Sequence, residues 1–311
     1  MPTTRRAHVL GLLGVASAFP GCRRNQPRVH VGAKSGHVQA FLAEAIGLQL
    51  EPVFGRQSVE LRPALGGTAV THESLMASQI DLYPEYSGAA LTALLGLASQ
   101  PDAAVVREQV KANYRIRFRC EWVAPLGFEN GPVLLTTAGT AESLQLKDLS
   151  GASAVSKPWR LGATREFMGA PDGFSQLMSV YKLPLSGAVQ VIERQQLYAA
   201  LEIGQVTLVA GEALDGGARA PSAAVLRDDR NAFPPYEAGI VVSLEALNRE
   251  PGLMAALTPL AGRFPFERMA RVVDELERAE AARAADPNAP PADLRAMAAR
   301  FLRAPASDPA K

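Results

Sequence analysis

The sequence predicts an α/β fold of two similar halves behind an export signal. Three observations carry that reading. Short apolar strands alternate with amphipathic helices, and the alternation restarts near the middle of the 311 residues. Composition is 48% hydrophobic and 20% charged, which permits a large core and argues against disorder over most of the chain. The first residues run from basic to apolar to small, the three parts of a secretory signal. The length suits two domains or one bilobed unit.

Taken in order, "RVHVGAK" (28–34) reads as a strand. In "HVQAFLAEAIGLQL", Val38, Phe41, Leu42, Ala45 and Ile46 fall at helical spacing. That spacing fails at Gln49, which predicts a helix end near Gly47. "VELRPAL" (59–65) alternates like a strand, and "GGT" (66–68) makes a turn with Thr68 as N-cap. A helix through about Gln79 follows, then "IDLYPEY" as the third strand and its exit loop. This βαβαβ order predicts a parallel sheet with helices on both faces.

The pattern then restarts. "PVLLTTAG" (132–139) reads as a strand, "AESLQLKDL" as a helix, "RLGAT" as a strand, "GFSQLMSVY" as a helix and "GAVQVIE" as a strand. "QQLYAALEIG" (195–204) is a helix closed by glycine, and "VTLVAG" is another strand. "AGIVVS" (238–243) opens a third section of helices, ending in "ADLRAMAARFL".

At the N-terminus, Arg5-Arg6 precedes "VLGLLGVASA" (9–18), an apolar run too short to span a bilayer. The stretch suits general export and, weakly, twin-arginine export. Cleavage after Ala18 removes two arginines and no acid, taking the formal charge from +1 to −1. "FPGC" leaves three readings of Cys22: the lipidated first residue of a periplasmic lipoprotein, a thiol able to pair with Cys120, the only other cysteine, or a free thiol like Cys120.

Function follows from strand ends, where open α/β sheets bind ligands. Lys34, Tyr86 and the loop "AGEALDG" fall at such ends. A quaternary ammonium offers no hydrogen-bond donor, so aromatic faces hold it by cation–π attraction of about 0.5–2 kcal/mol per ring. Enzyme readings find no support. Four scattered histidines give no zinc spacing, and no P-loop or G-x-S-x-G elbow is present. A balance of 32 basic and 31 acidic residues leaves no basic footprint for nucleic acid.

Five ordered blocks, "AKSGHVQAFLAE", "LGGTAVTHESLMASQIDLYPEYSGAAL", "PLGFENG", "GATREFMGAPDGF" and "FPPYEAG", resemble the osmoprotectant (glycine betaine/choline/carnitine) substrate-binding proteins of ABC importers. The resemblance implies a type II periplasmic-binding-protein fold: two α/β lobes joined by two crossovers, closing on an amine ligand. It implies an export signal and tether over 1–26, a first lobe from 27–131 plus 237–311, and a second from 132–236. It further implies a monomer in the periplasm without a cofactor, serving a membrane permease and its ATPase. Carried over residue by residue, it marks Lys34, Gln39, Tyr86, Asn130 and Tyr236, and places Glu212 where the family has a box tyrosine. A second box tyrosine falls on Pro132, a threonine on Ala89, and the arginine of "EFxxRxDG" on Ala170. Two missing rings remove about 1–4 kcal/mol of attraction, roughly a 10- to 1,000-fold weakening.

Each residue also has a plainer reading. Tyr86 could be a half-buried loop tyrosine, Lys34 a solvated cation and Glu212 the rim partner of an arginine. Tyr83 faces the opposite side of its strand and is expected to pack. Two other functions stay open: a sensor or surface lipoprotein with an eroded pocket, and a receptor of the same fold for an amino acid or polyamine.

Overall fold

The computed structural model describes residues 28–123 and 125–305. The export signal and Cys22 lie outside them. Ten strands form two five-stranded sheets. The first holds β1 (Val29–Gly32), β2 (Val59–Arg62), β3 (Leu82–Tyr86), β4 (Cys120–Val123) and β10 (Ala238–Ser243), in the order β2-β1-β3-β10-β4. The second holds β5 (Pro132–Thr137), β6 (Leu161–Ala163), β7 (Gln190–Val191), β8 (Leu208–Glu212) and β9 (Ala223–Leu226), in the order β7-β6-β8-β5-β9.

The two orders are the same pattern written twice. In each sheet three parallel strands are followed by one antiparallel strand that has just arrived from the other half. The sheets are therefore mixed rather than all-parallel as expected. Hydrophobic periodicity reports which residues face a core; it carries no information about strand direction. The chain crosses from the first sheet to the second between Val123 and Pro132 and returns between Leu226 and Ala238.

Both faces of both sheets are covered, and period-two alternation sorts the side chains. Leu82, Tyr86, Ile240 and Val242 join the core beneath helices 37–54, 266–285 and 294–303. Tyr83 and Val241 join the core on the reverse face, with Val106 and Val110 of helix 103–113. Tyr83 packs as expected and is fully buried. In the second sheet Leu134, Leu161 and Leu208 share one core, and Leu135 and Val209 share the other.

Several boundaries differ from the sequence reading for identifiable reasons. The first helix runs from His37 to Phe54, past the expected stop at Gly47, and Gly55 closes it. Gln49 faces inward there because its amide donates to the carbonyl of Ala256 at 3.1 Å, so a satisfied polar group interrupts the apolar stripe. Thr68 is the first residue of helix 68–76, not its cap; Gly67 holds that position. The helix expected over 141–149 is two short ones, 138–143 and 149–153, each started by its own cap, Thr137 and Asp148. Strands β4 and β9 and helix 103–113, capped by Asp102, were not foreseen. Cys120 is buried and has no disulfide partner among the described residues, and burial pushes the pKa of its thiol up to about 12.

Under the first sheet, His72 is packed edge-on against Phe118, with ring centroids 4.4 Å apart, and its Nδ1 lies 3.3 Å from the Tyr83 hydroxyl. Burial lowers its pKa to about 4. The folded chain thus holds a neutral imidazole that the unfolded chain protonates at about 6.5. Its contribution is present above 6.5 and is lost as pH falls through 6.5 toward 4, by up to about 3 kcal/mol. Urea titrations at pH 7 and pH 4.5 check this: His72→Phe should lose less stability between the two than the native chain. An equal loss in both would exclude His72 as the source.

Candidate functional site

Tyr86 ends β3, opposite Ala238 of β10 in the antiparallel register. Tyr236 lies two residues before Ala238, so the pleat places both rings on one side. Their centroids are 6.3 Å apart, with the planes tilted at 45°. Ser87 fixes the approach. Its N–H donates to the carbonyl of Glu237 at 2.9 Å, its hydroxyl donates to that of Pro235 at 2.9 Å, and it accepts from the N–H of Glu237 at 3.0 Å. Gly88 and Gly131 leave room for the Tyr236 ring: a Cβ on Gly88 would stand 2.4 Å from two ring carbons.

On the first-lobe side, Lys34 lies two residues past the end of β1 and stands with its ammonium 4.8 Å from the Tyr86 ring centroid. It pairs with the buried carboxylate of Glu85 and lies 3.4 Å from the Thr68 hydroxyl. Glu85 also accepts from the N–H of Tyr86 at 2.7 Å, and its other oxygen has no partner among the described residues. Phe128 meets Tyr86 edge-on at 6.2 Å. Burial pushes the Tyr86 phenol well above its ordinary value, and the charge of Glu212 adds to that. Asn130 and Gln39 stand near enough to the hydroxyl to pull the other way. Gln39 is 5% exposed, and neither atom of its amide has a partner among the described residues.

The second lobe supplies carboxylates. Tyr236 donates its hydroxyl to Asp172 at 2.5 Å, and burial lifts Asp172 above the usual carboxylate range. Asn130 donates to Glu212 at 2.7 Å and accepts from the N–H of Leu214 at 2.9 Å. Glu212 is also paired with Arg194, which reaches Asp215 at 3.0 Å. Tyr198 donates to Asp215 at 2.5 Å. The six residues singled out by sequence thus stand within one connected neighbourhood, although Glu212 already has two partners there. Sequence reasoning missed Glu85, Phe128, Asp172, Arg194 and Asp215. The first three lie inside quoted blocks, so their chemistry was in view without a partner to explain it.

The family described as the substrate binding domain of ABC-type glycine betaine transport systems matches residues 27–287. The chain belongs to this family. Its curated relatives include the ergothioneine transport permease/ergothioneine binding protein of Helicobacter pylori (strain G27), 27% identical over 243 residues; these cover 77% of this chain but 42% of that protein, so the chain spans under half of it. The carnitine transport binding protein of Listeria monocytogenes is 26% identical over 216 residues, covering 69% of this chain and 70% of that one. The glycine-betaine-binding protein of Pseudomonas aeruginosa is 27% identical over 262 residues, with 81% and 83% covered. Among solved structures, a glycine betaine/carnitine/choline ABC transporter aligns with a TM-score of 0.70 at 24% identity, over 88% of this chain and 97% of that one. A choline-binding protein in complex with choline aligns at 0.61 and 16%, over 88% and 87%. The fold is that of the type II periplasmic binding proteins, as the resemblance implied. Among the described residues, no helix is long and apolar enough to cross a membrane.

The paired tyrosines lie where both crossovers meet. A separate pocket of about 350 Å³, lined by Thr137, Tyr198, Leu201 and Ser222, belongs to the second lobe alone.

The close packing at Gly88 gives a specific expectation. Gly88→Ala drives a methyl into the Tyr236 ring and should cost about 1–3 kcal/mol in chemical denaturation. In a Tyr236→Ala background the same change should cost less, since only the Pro235 carbonyl, 3.0 Å from the added Cβ, still crowds it. Equal costs in both backgrounds would show that Gly88 does not position Tyr236.

Proposed function

We propose that this chain is the extracytoplasmic receptor of an ABC importer for a quaternary amine or a related cationic or zwitterionic compound. The ligand is taken between a first lobe formed by 27–131 and 237–311 and a second lobe formed by 132–236. The supporting observation is the approach of Tyr86 and Tyr236, delivered from different segments to within 6.3 Å of one another. Two ring faces at that spacing suit a group that attracts π-electrons and needs no hydrogen bond. The relatives named for carnitine, glycine betaine and ergothioneine all carry ligand names consistent with such a group.

In this reading the six candidate residues divide the work. Tyr86 and Tyr236 face the ammonium. Gln39, buried with an unpaired amide, is a hydrogen-bonding group awaiting a partner, and an unmade bond in such a place costs about 1–3 kcal/mol until a ligand supplies it. Lys34, Asn130 and Glu212 set the charge and shape around the rings. Lobe closure then presents both lobe surfaces to a permease served by an ATPase. The protein acts as a monomer in the periplasm, and a lipidated Cys22 would tether it to the membrane.

A thermal-shift screen across choline, betaines, carnitine, ergothioneine, amino acids and polyamines tests this. A ligand at 100 times its dissociation constant adds about 2.7 kcal/mol of stability. Tyr86→Ala and Tyr236→Ala should each weaken the best amine by about 2- to 30-fold in isothermal titration. Binding confined to neutral sugars or to anions would refute the proposal.

A further inference from the structure

We infer that the cleft selects a net-positive ligand over a zwitterion: a quaternary ammonium whose far end carries a hydrogen-bond donor such as a hydroxyl, not a carboxylate. The inference deepens the proposed function and rests on it. Three independent features of the site point the same way.

The first is that both cations of the site are already engaged. Lys34 is paired with Glu85, lies 3.4 Å from the Thr68 hydroxyl and stands over the Tyr86 face. Arg194 is paired with Glu212 and with Asp215, and lies 3.7 Å from Glu166. A ligand carboxylate would have to draw one of them away from a carboxylate it already holds.

The second feature is the balance of charge. The groups bonded directly or in sequence to Tyr86, Tyr236 and Asn130 are the cations Lys34 and Arg194 and the carboxylates Glu85, Asp172, Glu212 and Asp215. Two positive charges stand against four negative ones. Even with Asp172 protonated, a condition its burial favours, the excess stays negative. A monocation reduces that excess and a zwitterion leaves it unchanged. In a buried site the difference is weakly screened, because little water separates the charges.

The third is the kind of bond the site lacks. One oxygen of Glu85 is buried without a partner among the described residues, in a residue 1% exposed. A carboxylate oxygen is an acceptor, satisfied by a donor, and a ligand carboxylate has none to offer it. The Gln39 amide, unpaired at both its nitrogen and its oxygen among the described residues, serves a donor and an acceptor alike.

Choline and glycine betaine make a matched pair of probes, since they share the trimethylammonium head and differ in a hydroxymethyl against a carboxylate. Isothermal titration of the native chain at neutral pH should find choline bound about tenfold tighter or more, the factor that 1.4 kcal/mol gives. Glu212→Gln removes one negative charge and should narrow that ratio. Glycine betaine bound as tightly as choline, or more tightly, overturns the inference and leaves the proposed function standing. No binding of any quaternary ammonium compound overturns both. The ratio in the native chain decides the matter even if the variant does not fold.

Discussion

The antiparallel contact between the two crossover segments fixes where the paired tyrosines stand. Glu129 and Glu237 form an isolated bridge, and the N–H of Asn130 donates to the carbonyl of Tyr236 at 3.1 Å. The N–H of Leu126 and the carbonyl of Phe128 bond to Ala238 on either side of it. A shift of one residue in this pairing would turn Tyr236 to the other face and move Asn130 away from Leu214. The ring pair, the Asn130–Glu212 bond and the passage of the chain between lobes therefore share one register. Ser87 adds three bonds from the end of β3, tying Tyr86 to the same ribbon.

Charge burial is the second constraint. Lys34 and Glu85 are both almost wholly removed from water. Such a pair adds little net stability, because desolvation offsets its attraction, but removing one partner costs about 3–5 kcal/mol. The pair is therefore better understood as setting the field at Tyr86 than as holding the fold. Fold stability comes from the apolar layers, such as Phe301 with Phe41 edge-on at 5.5 Å and Phe264 stacked at 5.0 Å. Tyr236 joins the two concerns: its ring packs on Gly88 and Gly131, and its hydroxyl reaches the buried carboxylate of Asp172.

What could be read from the sequence was whatever a local pattern encodes. Strand β10 was found with its true bounds because "AGIVVS" is apolar throughout and Ser243 caps the next helix. The opposite facing of Tyr83 and Tyr86 followed from the strand period alone. Strand β4 was missed because Glu121 interrupts a run of only four residues, and β9 because it is short and lies at a sheet edge. Strand direction and ion-pair partners depend on residues far apart in the chain. Arg194 and Glu212 are separated by a helix and a strand, and nothing near Glu212 announces the guanidinium that reaches it. The plainer reading, that Glu212 pairs with an arginine, describes its contacts in the structure.

The contacts between lobes bear on how a ligand could act. Leu214 of the second lobe is buried in the core of the first. The N–H of Gly216 donates to Glu277 at 3.0 Å, and Arg219 reaches Asp274 at 2.5 Å and the carbonyl of Ala270 at 3.2 Å. These bonds hold the lobes together with protein groups alone. A ligand shifts the balance between open and closed forms only by its preference for one of them. When the chain itself supplies part of the closing energy, less preference is needed from a ligand. The cost falls on selectivity between full and empty receptors, since a closed form that needs little help is also populated without cargo. The Glu277 carboxyl, raised by burial, sits at this seam, where it accepts from the N–H of Gly216.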